Sequence, residues 1–158
     1  MFKVKQNIVY PIHGIGKIIA IEKKKILDKK SEYYIIEFES NNMRIMVPVD
    51  KAEEIGIRPV IKKTEVDKVL KILKSRKAAI DDDWKARYQS NTEKIKTGSI
   101  FEIAQVVKDL HRRNKTKELS IMERKMYENA LHHIILEIST VKKTSFEETE
   151  KTINKLLS

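Results

Sequence analysis

The sequence predicts an α+β protein: a small antiparallel β-barrel over residues 1–60, then a compact all-α bundle of about five helices over residues 61–158. Two observations support this. All three prolines (Pro11, Pro48, Pro59) and three of the four glycines (Gly14, Gly16, Gly56) fall before residue 60, among runs of β-branched and aromatic residues. From residue 63 the apolar residues recur at intervals of three and four, which is the helical period.

In the first half, Ile8-Val9-Tyr10, the run 16–21, the run 33–38 and the run 43–47 read as short strands. Pro11 to Gly14, Leu27 to Ser31 and Ser40-Asn41-Asn42 read as the turns between them. Strands this short and close together favour a curled antiparallel barrel.

In the second half, Val66, Val69, Leu70 and Leu73 form one apolar stripe, and Ile100, Ile103, Ala104, Val107 and Leu110 a second. Met126, Tyr127, Ala130, Leu131, Ile134 and Ile138 form a third; Phe146, Ile153 and Leu157 form the last. Ser99 with Glu102, Ser120 with Glu123 and Ser145 with Glu148 have capping-box spacing. Gly98 is placed for a left-handed helix end. Asp81-Asp82-Asp83 offers an N-cap and negative charge at the positive end of the following helix.

Composition narrows the function. There is no cysteine, so disulfides, thiolate metal sites and cysteine catalysis are excluded. No stretch is apolar enough to span a membrane, and the first residues lack a signal-like apolar region, so a soluble cytoplasmic protein is expected. Net charge is +10, with +3 in residues 1–60 and +7 in the remainder. Such an excess favours an anionic partner, nucleic acid first, or is simply a solvated lysine-rich surface.

No phosphate loop, nucleophile elbow or metal-ligand spacing is present, so no enzyme, metal or cofactor is expected. His13 reads as a turn residue, and the adjacent His132 and His133 cannot face one ligand from a helix. The acidic triplet reads as an N-cap before a cation site. Trp84 has two readings, a ring packed over a helix start or an exposed aromatic beside Lys85 and Arg87. Basic residues also cluster at Lys108, Arg112, Arg113, Lys115 and Lys117, then at Arg124 and Lys125, where an antiparallel turn would bring them to one end of the bundle. Placement at a helix C-terminus is itself enough to explain Arg112 and Arg113.

Several of these stretches resemble the CarD/CdnL family of bacterial transcription regulators. They are Phe2-Lys3-Val4, the run 8–16, the run 42–49, Ile55-Gly56-Ile57-Arg58, the run 84–88, the run 93–98, the run 104–110, Leu119-Ser120 and the run 123–126. The matches keep order and spacing over nearly the whole chain; those of the first half are shared with the polymerase-binding module of the transcription-repair coupling factor. The resemblance implies a Tudor-like (SH3-like) first domain, residues 1–60, that docks on the RNA polymerase β subunit. Its contact would be an exposed strand edge at Met43, Arg44, Ile45, Met46, Val47 and Pro48, with Ile35 beside it, pairing by β-augmentation. The second domain, residues 61–158, would contact promoter DNA without sequence specificity at the upstream edge of the transcription bubble. There Trp84 would wedge into the minor groove and slow bubble collapse, and Lys85, Arg87, Arg112, Arg113, Arg124 and Lys125 would supply charge. A monomer is expected, associated with the nucleoid through the polymerase. The family usually has Gly-Asp where this chain has Lys5-Gln6, and some members have Arg where Met46 stands, which would make the β contact here more apolar. The rival reading is an RNA-binding or ribosome-associated protein with an SH3-like barrel and a basic bundle.

Overall fold

The computed structural model describes residues 1–11, 13–77 and 83–158. The chain divides into two compact units, Met1–Val60 and Ile61–Ser158. Ile12, Asp81 and Asp82, which the turn and N-cap expectations include, lie outside the described residues.

The first unit is a five-stranded antiparallel sheet: β1 (Asn7–Tyr10), β2 (Gly14–Ile26), β3 (Lys29–Phe38), β4 (Arg44–Pro48) and β5 (Arg58–Pro59), in the order β4-β3-β2-β1-β5. A single-turn helix, α1 (Ala52–Ile55), follows β4 and ends on Gly56, whose left-handed φ of 92° suits glycine. The inner face alternates as a half-buried sheet should: Ile8, Ile18, Tyr34, Ile36, Phe38 and Val47 are buried, and Ala52 and Ile57 close over them. Gly16 pairs with Phe38, and a Cβ at Gly16 would lie 2.7 Å from the Ile36 side chain, so only glycine lets β2 approach the core this closely.

Two expectations for this unit are corrected. The pairings join β4 only to β3 and β5 only to β1 among the described residues, so the sheet is open rather than a closed barrel. The β2–β3 hairpin also runs much further than its apolar residues, with Lys23 to Ile26 paired to Lys29 to Glu32 around a turn at Leu27-Asp28. The sequence hid these outer rungs because they are charged and lack alternation.

The second unit holds five helices: α2 (Lys63–Lys74), α3 (Trp84–Lys96), α4 (Ile100–Thr116), α5 (Ile121–Lys142) and α6 (Phe146–Leu157). With α1, the described residues contain six α-helices, and a 3-10 turn at Val49–Lys51 precedes α1. The core joins Val66, Val69 and Leu73 of α2 to Ile100, Ala104 and Val107 of α4, Ile134, Ile135 and Ile138 of α5, and Ile153 and Leu157 of α6. A smaller cluster of Val106, Leu110 and Leu119 packs near Ile95 and Met126. Glu137 is buried here, and its carboxylate accepts from the Ile61 amide at 2.9 Å, answering a polar group with a polar group.

The caps differ from one another. Ser120 and Ser145 each accept from the amide three residues on, at 3.1 Å. Asp83 caps α3 by accepting from the Lys85 amide at 3.1 Å. Ser99 makes no side-chain cap bond, so the capping box expected there is absent; its amide instead donates to the Thr97 hydroxyl. Gly98 follows α3 with φ of 73°, a left-handed helix end.

Candidate functional site

Two surfaces hold the candidate residues, one in each unit. The first is the outer face and free edge of β4. The β3–β4 register pairs Tyr33 with Pro48, Ile35 with Met46 and Glu37 with Arg44 on the outer face, and Tyr34 with Val47 and Ile36 with Ile45 on the inner one. Ile35 and Met46 are therefore adjacent, and Met46 is 41% exposed. Arg44 donates to Glu37 at 2.8 Å in an exposed ion pair that contributes little stability. Met43 precedes the strand, exposed, with its carbonyl accepting from the Phe38 amide at 2.9 Å.

That last bond fixes the phase of the ladder. Phe38 and Met43 form a hydrogen-bonded pair, so by alternation do Ile36–Ile45 and Tyr34–Val47. The amides and carbonyls of Arg44 and Met46 therefore turn away from β3 toward the open edge, and Pro48, lacking an N–H, ends the edge. Val47 is buried and Ile45 packs on the core, so these two candidates offer the partner no side chain.

The second surface is the start of α3 and the start of α5. Trp84 opens α3 and is 48% exposed, with the Lys85 ammonium 6.0 Å from the centre of its ring. One turn on, Arg87 faces inward. Its Nε and Nη2 donate to the two carboxylate oxygens of Glu123 at 2.8 and 3.0 Å, a bidentate pair with both side chains largely buried. Arg87 was expected to face DNA; it instead ties the first turn of α3 to the first turn of α5. The Arg87 hydrogen bond is the main cause that holds the Glu123 carboxyl below its ordinary pKa, against the opposing effect of burial.

The other basic candidates separate in the same way. Arg112 donates to the Ser75 carbonyl at 3.1 Å, joining the ends of α4 and α2, a structural role that accounts for its charge. Arg113 is half-buried near the end of α4. Arg124 is exposed, 3.6 Å from an exposed Glu118, and Lys125 is exposed beside it. The exposed candidates at these two helix starts, which Arg87 and Glu123 tie together, are thus Trp84 and Lys85 on α3 and Arg124 and Lys125 on α5, where Ile121 and Met122 are exposed as well. Sequence reasoning missed Glu123 as an ion-pair partner because its spacing from Ser120 already explained it as a capping glutamate.

The histidines show no clustered chemistry. His111 Nδ1 lies 2.9 Å from the Tyr127 hydroxyl, and burial, then Lys115 and Arg112, lower its pKa. His133 is lowered by burial and then by His132. His13 is exposed, with its ring 5.0 Å from Tyr10. Among the described residues no group of three or more His, Asp or Glu is placed to hold a metal, and no helix is long and apolar enough to cross a membrane.

Comparison with known proteins decides the family. The model of the CarD-like/TRCF RID domain matches residues 2–61, and that of the CarD C-terminal domain matches residues 68–154. The chain belongs to the CarD/CdnL family. A curated relative, "Putative transcription factor YdeB" of Bacillus subtilis (strain 168), is 42% identical over 142 residues, covering 90% of this chain and 93% of its own length. A solved structure, "CdnLNt from Myxoccoccus xanthus", is 32% identical over 40% of this chain and 89% of its own, with a TM-score of 0.35. The β4 edge lies within the first CarD match, and Trp84 and the α5 start lie within the second.

Proposed function

We propose that this CarD-family chain is a transcription regulator that binds the RNA polymerase β subunit through β4 and promoter DNA through the α3–α5 end. The β4 edge offers outward amides at Arg44 and Met46, an apolar patch from Ile35, Met46 and Pro48, and a proline stop. That set suits an added strand: main-chain pairing gives affinity and alternate side chains give selectivity. At the other surface a flat apolar ring beside lysine suits the junction of duplex and melted DNA, where bases are exposed for stacking. A wedge there slows reannealing and stabilises the open complex. No base-reading helix is involved, so DNA contact is independent of sequence and weakens with salt.

One observation carries this reading. Trp84 stands half exposed at the first turn of α3 and belongs to neither core. The polymerase half is tested with Met46→Glu. Met46 is exposed, so the variant is expected to melt like the parent yet bind isolated β subunit at least about tenfold more weakly, a loss of about 1.4 kcal/mol. Unchanged affinity in a normally folded variant rejects the edge contact.

A further inference from the structure

The β2–β3 hairpin has a feature that neither proposed surface uses. Every residue from Glu22 to Lys30 is exposed, and between residues 23 and 30 stand five lysines (Lys23, Lys24, Lys25, Lys29, Lys30) against one acid, Asp28. Lys25 lies directly opposite Lys30 in the register, a like-charge pair that opposes strand pairing. Its contact with Asp28 is 3.8 Å and fully at the surface, too weak to compensate. The turn is also unfavourable. Leu27 and Asp28 take φ of 49° and 64°, a two-residue turn with both positions left-handed, where Asn-Gly is the favoured pair. Leu27 adopts this backbone while 96% exposed, so no burial of its side chain repays the strain.

Lys23 faces Glu32 and Lys24 lies 3.7 Å from Glu22, but the Lys25–Lys30 rung repels and the net charge of the arm is positive. That, with an exposed leucine at a strained tip, is the opposite of what a solvated hairpin needs. These features suit a partner that neutralises the lysines and covers the leucine. The arm from Glu22 to Ile26 is about 17 Å long at roughly 3.4 Å per residue. A two-stranded β-ribbon fits the major groove of B-form DNA, about 12 Å wide, whereas the major groove of A-form RNA is too narrow for side chains to read. We infer that the β2–β3 hairpin is a second nucleic-acid contact, inserting into the major groove of duplex DNA with its lysines on the phosphates and Leu27 against base edges. This inference is independent of the reading of Trp84.

The test uses the full chain carrying Lys23→Gln, Lys25→Gln and Lys30→Gln, with a labelled DNA duplex of arbitrary sequence as probe and Trp84 intact. Relieving the Lys25–Lys30 repulsion should leave Tm unchanged or slightly higher. The slope of log affinity against log salt should fall by about 2–3, since each lost phosphate contact removes roughly 0.9. Leu27→Gly should raise Tm by relaxing the turn while weakening DNA binding several-fold. An unchanged salt slope in the triple variant overturns the inference, as does a loss of polymerase β binding with DNA binding intact, which would make the arm a protein contact. Equal binding of an RNA duplex of the same sequence overturns the groove assignment.

Discussion

Arg87 and Glu123 show how a basic residue beside an exposed tryptophan can belong to the interior. A solvated arginine three residues from Trp84 would add charge to the proposed DNA surface. The bidentate pair with Glu123 instead fixes the helix turn that presents Trp84, and the exposed cations are Lys85, Arg124 and Lys125. Removing one partner strands a buried charge. Arg87→Met should therefore lower stability by about 3–5 kcal/mol, and adding Glu123→Leu should recover much of it. Chemical denaturation of the two single variants and the double variant checks this. Additive losses would mean that the pair is not coupled.

At the scale of elements, the legible parts of the sequence were those where burial imposes a period. The stripes at 66–73, 100–110 and 126–138 become the packed faces of α2, α4 and α5, and the alternation at 33–38 becomes the inner and outer rungs of β3. What could not be read lacks that imprint. The lysine rungs of the hairpin alternate nothing, and β5 is only two residues long. The openness of the sheet is a matter of which strands meet, which local pattern does not encode. Capping spacing was informative but insufficient: Ser145 caps α6, whereas Ser99, with the same spacing, does not use its hydroxyl. Of the candidate site, Trp84 stayed open in the sequence between a packed and an exposed ring, and Met46 entered only through the family resemblance, while the fate of Arg87 and Arg112 depends on partners 36 and 37 positions away. Ser145→Ala should destabilise by about 1 kcal/mol and Ser99→Ala by much less. Paired thermal melts check both, and equal losses would contradict the cap assignment.

Over the whole molecule, acid should act in two stages. His111 and His133 have pKa values lowered chiefly by burial, so the unfolded chain takes up protons first. Stability then falls as pH drops through the ordinary histidine range, and this loss levels off below the folded-state values. Glu123, held low chiefly by Arg87, contributes fully above the ordinary glutamate value, and its share is lost as pH falls through the lower folded value. Stability measured against pH should show both steps. Combining His111→Gln with His133→Gln should flatten the first and spare the second; a first step that persists unchanged would place it elsewhere.

Of the proposed polymerase-binding edge and DNA wedge, the wedge depends on a single side chain, Trp84. The most direct measurement is the lifetime of promoter open complexes formed by RNA polymerase with the parent chain and with Trp84→Ala. A ring half in solvent contributes little to the fold, so the variant should stay within about 0.5–1 kcal/mol of the parent in stability and bind β subunit normally. Its open complexes should decay about five- to a hundredfold faster, the equivalent of losing roughly 1–3 kcal/mol of aromatic–base stacking. An unchanged lifetime with β binding intact would contradict the wedge. A stability loss near the roughly 3–5 kcal/mol of a core tryptophan would contradict the exposure on which it depends.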